Sequence, residues 1–407
     1  MKTTLKVVLM MSFVVLLLTS SWTLFAQTET VNVYEKLKPF FEALFYIENE
    51  YYGKEGIDYD KLIDETIIGL LAGLEDRYSG YLNKSDVAES KIQEEGFYGG
   101  LGIEVTYNAH YKAVQVVAPM FGTPAYRAGL KAKDLIMSIN GVSVETMSYM
   151  EAVNNLRGMP GTIVTIEVFR ENVGKLEFQI EREEIRMAMV QISYLKSQGI
   201  DIGYVRINQF SRPTQSELRN ALIKLHGSGV QGIVMDLRNN PGGLLTQSIQ
   251  VASMFLDTGK VVVTTRSGDG FINTYRSIGN DFPDLPMVVL INQGSASSSE
   301  ILAGALQDHG RAILVGEKTF GKAAIQTVFP LSNGGELILT SAHYFTPLGK
   351  NIHQVGIEPD IVVPYVPAEQ EGVSQEAESD STLYELELDI HKDNQLKLAL
   401  EVLVESL

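Results

Sequence analysis

The sequence predicts a layered α/β domain that carries an inserted β-rich module and is preceded by a helical segment. Three observations predict it. Apolar residues recur at helical spacing near the start, short β-rich runs broken by glycines fill the middle, and continuous apolar runs alternate with helical patterns in the second half. At 407 residues the chain is long enough for two or three domains, and 45% apolar against 20% charged residues allow a sizeable core. The 33 basic and 50 acidic residues leave a net charge of −17, which repels phosphate backbones and argues against nucleic-acid binding. The absence of cysteine excludes disulfides, thiolate nucleophiles and Cys-based metal sites. Six scattered histidines (His110, His226, His309, His343, His353 and His391) form no close ligand pair, so no metal and no other cofactor is expected.

In chain order, residues 1–26 read as an address. Lys2 and Lys6 precede an apolar run from Val7 to Leu18, the layout of an export signal cleaved after Ala26. Extended through Trp22 to Ala26, the run reaches the lower limit for a spanning helix, so a retained membrane anchor is the alternative. Either way the remainder is expected in the periplasm or cell envelope. Residues 27–92 form a helical region, with Leu37, Phe40, Phe41, Leu44 and Phe45 on one helix and Leu62, Ile67, Leu70 and Leu71 on a second. Tyr51-Tyr52-Gly53-Lys54 breaks the period between them, and the helical pattern runs to about Leu82.

Residues 93–182 change texture. Gly99-Gly100-Leu101-Gly102-Ile103 is followed by Val114-Gln115-Val116-Val117, by Ala128-Gly129-Leu130 and by Asp134 to Gly141; a helix from Ser148 to Arg157 and a strand from Val164 to Phe169 complete the series. Asn140-Gly141 favours a tight turn because both residues tolerate positive φ. This order resembles a PDZ domain. The resemblance implies that Gly100, Leu101, Gly102 and Ile103 present backbone N–H groups to the carboxylate of a peptide C-terminus, while the peptide adds a strand to the sheet.

Residues 183–366 hold the α/β core. Gly232 to Leu237, Met287 to Ile291 and Ala312 to Val315 read as buried strands, with helices from Leu244 to Leu256 and from Ser298 to Gln307. Residues 367–407 comprise an acidic linker to about Thr382 and a terminal helix. Two strand-to-helix loops carry candidate chemistry. Asp236-Leu237-Arg238-Asn239-Asn240-Pro241-Gly242-Gly243 frees backbone N–H groups through its glycines, and helix N-termini suit a developing oxyanion. Asn292 to Glu300 places Ser295, Ser297, Ser298 and Ser299 where a serine can project, although helix capping alone favours serines there. Lys322, flanked by Gly321, Ala323, Ala324 and Ile325, can serve as a base where burial lowers its pKa; in an extended stretch Gln326 shares its face.

Together the DLRNNPGG loop, the GSASSSEILAGALQDHGRA segment and the VGEKTFGKAAIQT segment resemble, in order and spacing, the C-terminal processing peptidases, or tail-specific proteases. The resemblance also takes in Gly73 to Ser79 and Val355 to Asp360. It implies a crotonase/Clp-like core with an inserted PDZ domain, Ser297 as nucleophile, Lys322 as general base and Gln326 as the residue that positions the lysine. Gly243 and Ser298 N–H would form the oxyanion hole, and Asp308 matches an acidic position at times assigned to a charge relay. Ser298 stands where alanine is usual, and Ala323-Ala324 where Gly-Ser is usual. The implied partners are protein substrates held by their C-terminal tails, with membrane anchoring, an adaptor or a homo-oligomer left open. The rival readings are weaker. Ser193-Tyr194-Leu195-Lys196 fits Ser-x-x-Lys, but no Lys-Thr-Gly follows. Asp308 and His309 are adjacent on a helix and point about 100° apart, so they could hardly form one relay. A PDZ scaffold on an inactive peptidase core is the alternative from another class.

Overall fold

The computed structural model describes residues 32–120, 122–279, 281–282, 285–366, 384–386 and 388–407. The export segment and the acidic linker at 367–382 lie outside the described residues. The chain divides into two compact units, residues 1–66 and 67–407.

In the first unit, helix α1 (Val33–Glu50) starts at Asn32, whose side chain accepts the Tyr34 N–H at 3.2 Å, and ends at Tyr51, where the sequence pattern breaks. None of its residues is buried. Helix α2 (Tyr59–Ala72) follows after a short turn. Among the described residues no helix is long and apolar enough to cross a membrane.

The second unit departs from the helical reading before Leu82. Strand β1 (Gly80–Leu82) pairs with residues 336–338, so its conformation depends on a partner more than 250 residues away. Helix α3 (Lys84–Glu95) escaped the sequence pattern for a different reason. Only Val87 is buried in it, so it lacks an apolar stripe; its start is set instead by Asn83, which accepts the Ser85 and Asp86 N–H groups.

The inserted module follows β2 (Phe97–Gly100). It comprises β3 (Ile103–Asn108), β4 (Ala113–Pro119), the short helix α4 (Pro124–Arg127), β5 (Leu135–Ile139), β6 (Val142–Ser143), helix α5 (Tyr149–Leu156), β7 (Ile163–Arg170) and β8 (Gly174–Glu181). Its antiparallel sheet runs β3-β4-β5-β7-β8, which leaves β3 at an edge. Val114, Val116, Ile136, Val164 and Ile166 pack with Ala152 and Leu156 of α5 into one core. Asn140 (φ 50°) and Gly141 (φ 79°) form the expected tight turn between β5 and β6. A capping box of Ser148 and Glu151 starts α5. Strand β9 (Glu183–Arg186) pairs antiparallel with β2, so the two chain crossings between module and core run side by side.

The core continues with β10 (Val190–Ser197), β11 (Ile200–Ile207), α6 (Thr214–Gly227), β12 (Gly232–Asp236), α7 (Leu245–Ser253), β13 (Val261–Ser267), β14 (Ile272–Arg276), β15 (Met287–Ile291), α8 (Ser298–Asp308), β16 (Ile313–Gly316), β17 (Ala324–Pro330), β18 (Glu336–Phe345), β19 (Ile361–Val362), β20 (Tyr384–Glu385) and α9 (Asn394–Ser406). A seven-stranded sheet runs β19-β16-β15-β12-β11-β10-β20, parallel except between β10 and β11. Alternation explains its continuous apolar runs. Ile233, Met235, Val289 and Ile291 pack toward α6, α7 and α8, whereas Val234, Val288 and Leu290 pack under Leu396, Ala399, Leu400 and Leu403 of α9. A second sheet, β1-β18-β13-β14 with β17 against β18, carries the Lys322 segment beside the start of α8.

Candidate active site

The first loop leaves β12 at Asp236. That carboxylate is fully buried; it accepts the Tyr204 hydroxyl at 2.7 Å and a two-pronged grip from Arg238. Arg238 reaches on to Asp393 and Gln395 at the start of α9, so the C-terminal helix braces this loop. Asn240 then folds the turn. Its side chain accepts the Gly242 N–H and donates to Ile207, and its carbonyl accepts the Ala296 N–H at 3.0 Å.

Glycine is required at the next two positions. At Gly242 (φ 103°) a Cβ would lie 2.8 Å from Ser297 Cβ and 2.9 Å from Ser298 N; at Gly243 (φ 133°) it would lie 2.3 Å from the Phe210 carbonyl oxygen. The loop motif points to Gly243, and the structure adds Gly242 as the residue on which the serine loop rests. Phe210 pairs with Gly242 and Leu244 and leaves the Gly243 N–H without a partner among the described residues. The Ser298 N–H lies in the first turn of α8, where no intrahelical acceptor exists. Ser298 Oγ donates to the Gly243 carbonyl at 2.8 Å, so this hydroxyl pins one loop to the other.

Ser297 itself caps α8 at φ 55°, ψ −114°, a conformation that non-glycine residues hold only under constraint. Glu300 supplies much of that constraint. Its fully buried carboxylate accepts the Ser297 N–H at 2.9 Å, the Thr319 hydroxyl at 2.6 Å, the Gly321 N–H at 2.7 Å and the Lys322 N–H at 2.9 Å. Ser297 and Lys322 share one oxygen, Oε2, so twice 2.9 Å bounds the separation of their nitrogens. The buried Tyr344 hydroxyl joins them again, 3.0 Å from the Ser297 carbonyl and 2.5 Å from that of Lys322. Burial pushes the Glu300 carboxyl above its usual range, against the pull of its four donors. Neither Glu300 nor Tyr344 stood out in the sequence, although a Glu three residues after a capping serine is a recognisable signal.

Lys322 is half-buried, and burial lowers its pKa below that of free lysine. Its Nζ makes no hydrogen bond among the described residues and lies 5.7 Å from the centre of the Tyr78 ring. Lys322 precedes β17 rather than lying in an extended run with Gln326. The Gln326 amide donates to the Tyr78 carbonyl at 2.5 Å and does not reach the lysine.

Asp308 is not brought to the site. It ends α8, and at about 1.5 Å per residue the helix puts it some 15 Å from Ser298. There it accepts the Leu348 N–H at 2.9 Å and pairs with Lys350 at 3.0 Å. Burial raises its carboxyl, but these donors outweigh that and hold it below the usual range. His309 instead bonds the Val261 carbonyl, so no Asp–His relay exists. Among the described residues no group of three or more His, Asp or Glu side chains could hold a metal ion.

In the module, Gly102 (φ 70°) packs against Thr123, where a Cβ would lie 2.4 Å away. The Leu101 and Gly102 carbonyls are taken by Ala125 and Met120, while their N–H groups have no partner among the described residues. Beside Ile103, edge strand β3 turns the Val105 carbonyl outward, where it accepts the Tyr149 hydroxyl at 3.0 Å.

Two family models match the chain: peptidase family S41 over residues 201–363 and the PDZ domain over residues 90–169. A carboxyl-terminal-processing protease of Picosynechococcus sp. is 39% identical over 304 residues, covering 74% of this chain and 73% of that protein. A carboxy-terminal-processing protease of Bartonella bacilliformis is 39% identical over 356 residues, covering 85% and 80%. The solved photosystem II D1 C-terminal processing protease is 31% identical, with a TM-score of 0.47 and coverage of 80% of this chain and 92% of that one.

Proposed function

The chain belongs to peptidase family S41, among the carboxyl-terminal-processing proteases, and on that premise we propose that it cuts polypeptides near their C-termini through an acyl-enzyme built on Ser297 and Lys322. The observation that carries this reading is the shared Glu300 oxygen, which with Tyr344 fixes the two backbones side by side. Ser297 Oγ attacks the scissile carbonyl carbon, and its proton passes to the neutral Lys322 amine. The oxyanion so formed accepts N–H groups of Gly243 and Ser298. Collapse expels the leaving amine, which takes the proton from Lys322, and water then cleaves the ester by the same route in reverse.

Gly100, Leu101, Gly102 and Ile103 would hold the free carboxylate of the substrate tail, with the tail lying along β3. The free N–H groups of Leu101 and Gly102 and the unpaired edge support this reading. Gln326 would act on the base indirectly, through the residue both side chains meet. The export-type segment at 1–26 supports action in the cell envelope. The test is cleavage of a reporter protein with an unstructured tail, free or amidated at its C-terminus, by wild type and Ser297→Ala. Tail cleavage by wild type alone, slower for the amidated form, is expected; activity in Ser297→Ala would overturn the assignment.

A further inference from the structure

The two side chains proposed to supply and steer the base, Lys322 and Gln326, converge on a residue outside both catalytic loops. The Lys322 ammonium stands 5.7 Å from the Tyr78 ring centre, and the Gln326 amide donates to the Tyr78 carbonyl. Tyr78 is itself held firmly. Its N–H is accepted by Asp76 at 3.0 Å; Asp76 also takes the Ser79 hydroxyl at 2.6 Å, and Ser79 Oγ accepts the Thr340 N–H of β18 at 3.1 Å. His353 lies edge-on to the ring at 5.7 Å. Two residues further on the chain enters β1, which pairs with β18. The segment is thus anchored to the same strand that pairs with β17, the strand bearing Gln326.

We propose that Tyr78 is the positioning residue of the base: its ring walls the Lys322 amine from water, and its carbonyl holds the Gln326 amide. The assignment rests on reading Lys322 as the base. Two effects of the ring oppose each other. Its face attracts an ammonium and so favours the charged lysine, while its bulk excludes water and favours the neutral one. Burial lowers the Lys322 pKa, and the ring 5.7 Å away is part of what surrounds the amine, so the proposal takes exclusion as the ring's larger effect. The other titratable groups packed here are Arg77 over the ring, His353 against it with His343 stacked behind, and Asp76 on the Tyr78 N–H. Glu300 and Tyr344 hold the lysine's backbone.

The experiment is the pH profile of kcat/KM on a tailed reporter protein with a free C-terminus. It compares the full chain with Tyr78→Ala, Tyr78→Phe and, should Tyr78→Ala not fold, Tyr78→Gln. Loss of the ring admits water, so the midpoint of the rising limb should move up by about one pH unit, with about a tenfold loss of kcat/KM below it. Tyr78→Phe keeps the wall and the carbonyl and should keep the wild-type midpoint. An unmoved midpoint in Tyr78→Ala, or in Tyr78→Gln where that variant is needed, overturns the assignment, as does a shift in Tyr78→Phe equal to theirs. Lys322→Ala run in parallel separates the two claims. Wild-type turnover by that variant would remove the base reading itself. Its inactivity together with an unmoved midpoint removes Tyr78 alone.

Discussion

Two glycine loops of this chain leave backbone N–H groups without a partner among the described residues, and they are built in opposite ways. Gly242-Gly243 is locked from every side. Asn240, Phe210, Ser298 and the Ser297 loop hold it, and the Asp236–Arg238 pair roots it in the sheet and in α9. Gly100-Leu101-Gly102 lies at the rim of the module, backed by Thr123 and Ala125 but opening on an edge strand. The difference follows from what each would bind. Charge that develops only in the transition state is stabilised best by donors that cannot reorganise, whereas a tail that must enter and leave needs an open edge.

The largest effect should come from the locked site. Ser297→Ala and Lys322→Ala are expected to abolish tail cleavage, and Lys322→Arg should fail with them because a guanidinium stays protonated. All three should still bind a free C-terminal peptide, measured by fluorescence anisotropy; loss of peptide binding in all of them would show that the two loops are not independent.

Next come the glycines themselves. Gly242→Ala drives a methyl to within 2.7 Å of the Ala296 carbonyl and 2.8 Å of Ser297 Cβ, so kcat should fall about a hundredfold or more. Gly102→Ala meets Thr123 at a positive φ and should raise KM by about tenfold with kcat little changed. Steady-state kinetics on free and amidated tails would sharpen the contrast, since amidation should mimic Gly102→Ala and leave Gly242→Ala no more sensitive than wild type.

The pH response belongs to the locked site alone. As the proposed base, Lys322 must be neutral to accept the serine proton, and burial lowers its pKa below the free-lysine value of 10.5. Activity should therefore rise with pH along a limb centred below 10.5, while peptide binding to the open loop stays level across that limb. A limb centred at or above the free-lysine value would contradict the burial seen here.

The smallest effect is expected at Ser298→Ala, which removes one hydrogen bond to the Gly243 carbonyl and leaves the N–H donor in place. A loss of about 1 kcal/mol in stability, read by thermal or urea unfolding, with kcat within a fewfold of wild type would fit that role.

The sequence alone determined whatever depends on neighbours in the chain. Asn140-Gly141 specifies its turn because both residues accept positive φ, the runs at 232–237 and 287–291 specify buried strands because every residue is apolar or caps the strand, and the long loop motifs name Ser297 and Lys322 as the candidates for the proposed chemistry. Tertiary structure decided whatever depends on a partner brought from afar. Asp308 looked eligible for a relay until β18 and its turn supplied Leu348 and Lys350 as its partners. Gln326 looked like a direct neighbour of Lys322 until the fold set its amide on Tyr78, 248 residues earlier in the chain. Glu300 joins residues 297, 319, 321 and 322 only because α8 and the segment before β17 meet. A backbone turn is fixed by sterics within a few residues, but a buried carboxylate is fixed by which donors the packed elements deliver to it, and no local pattern encodes that delivery.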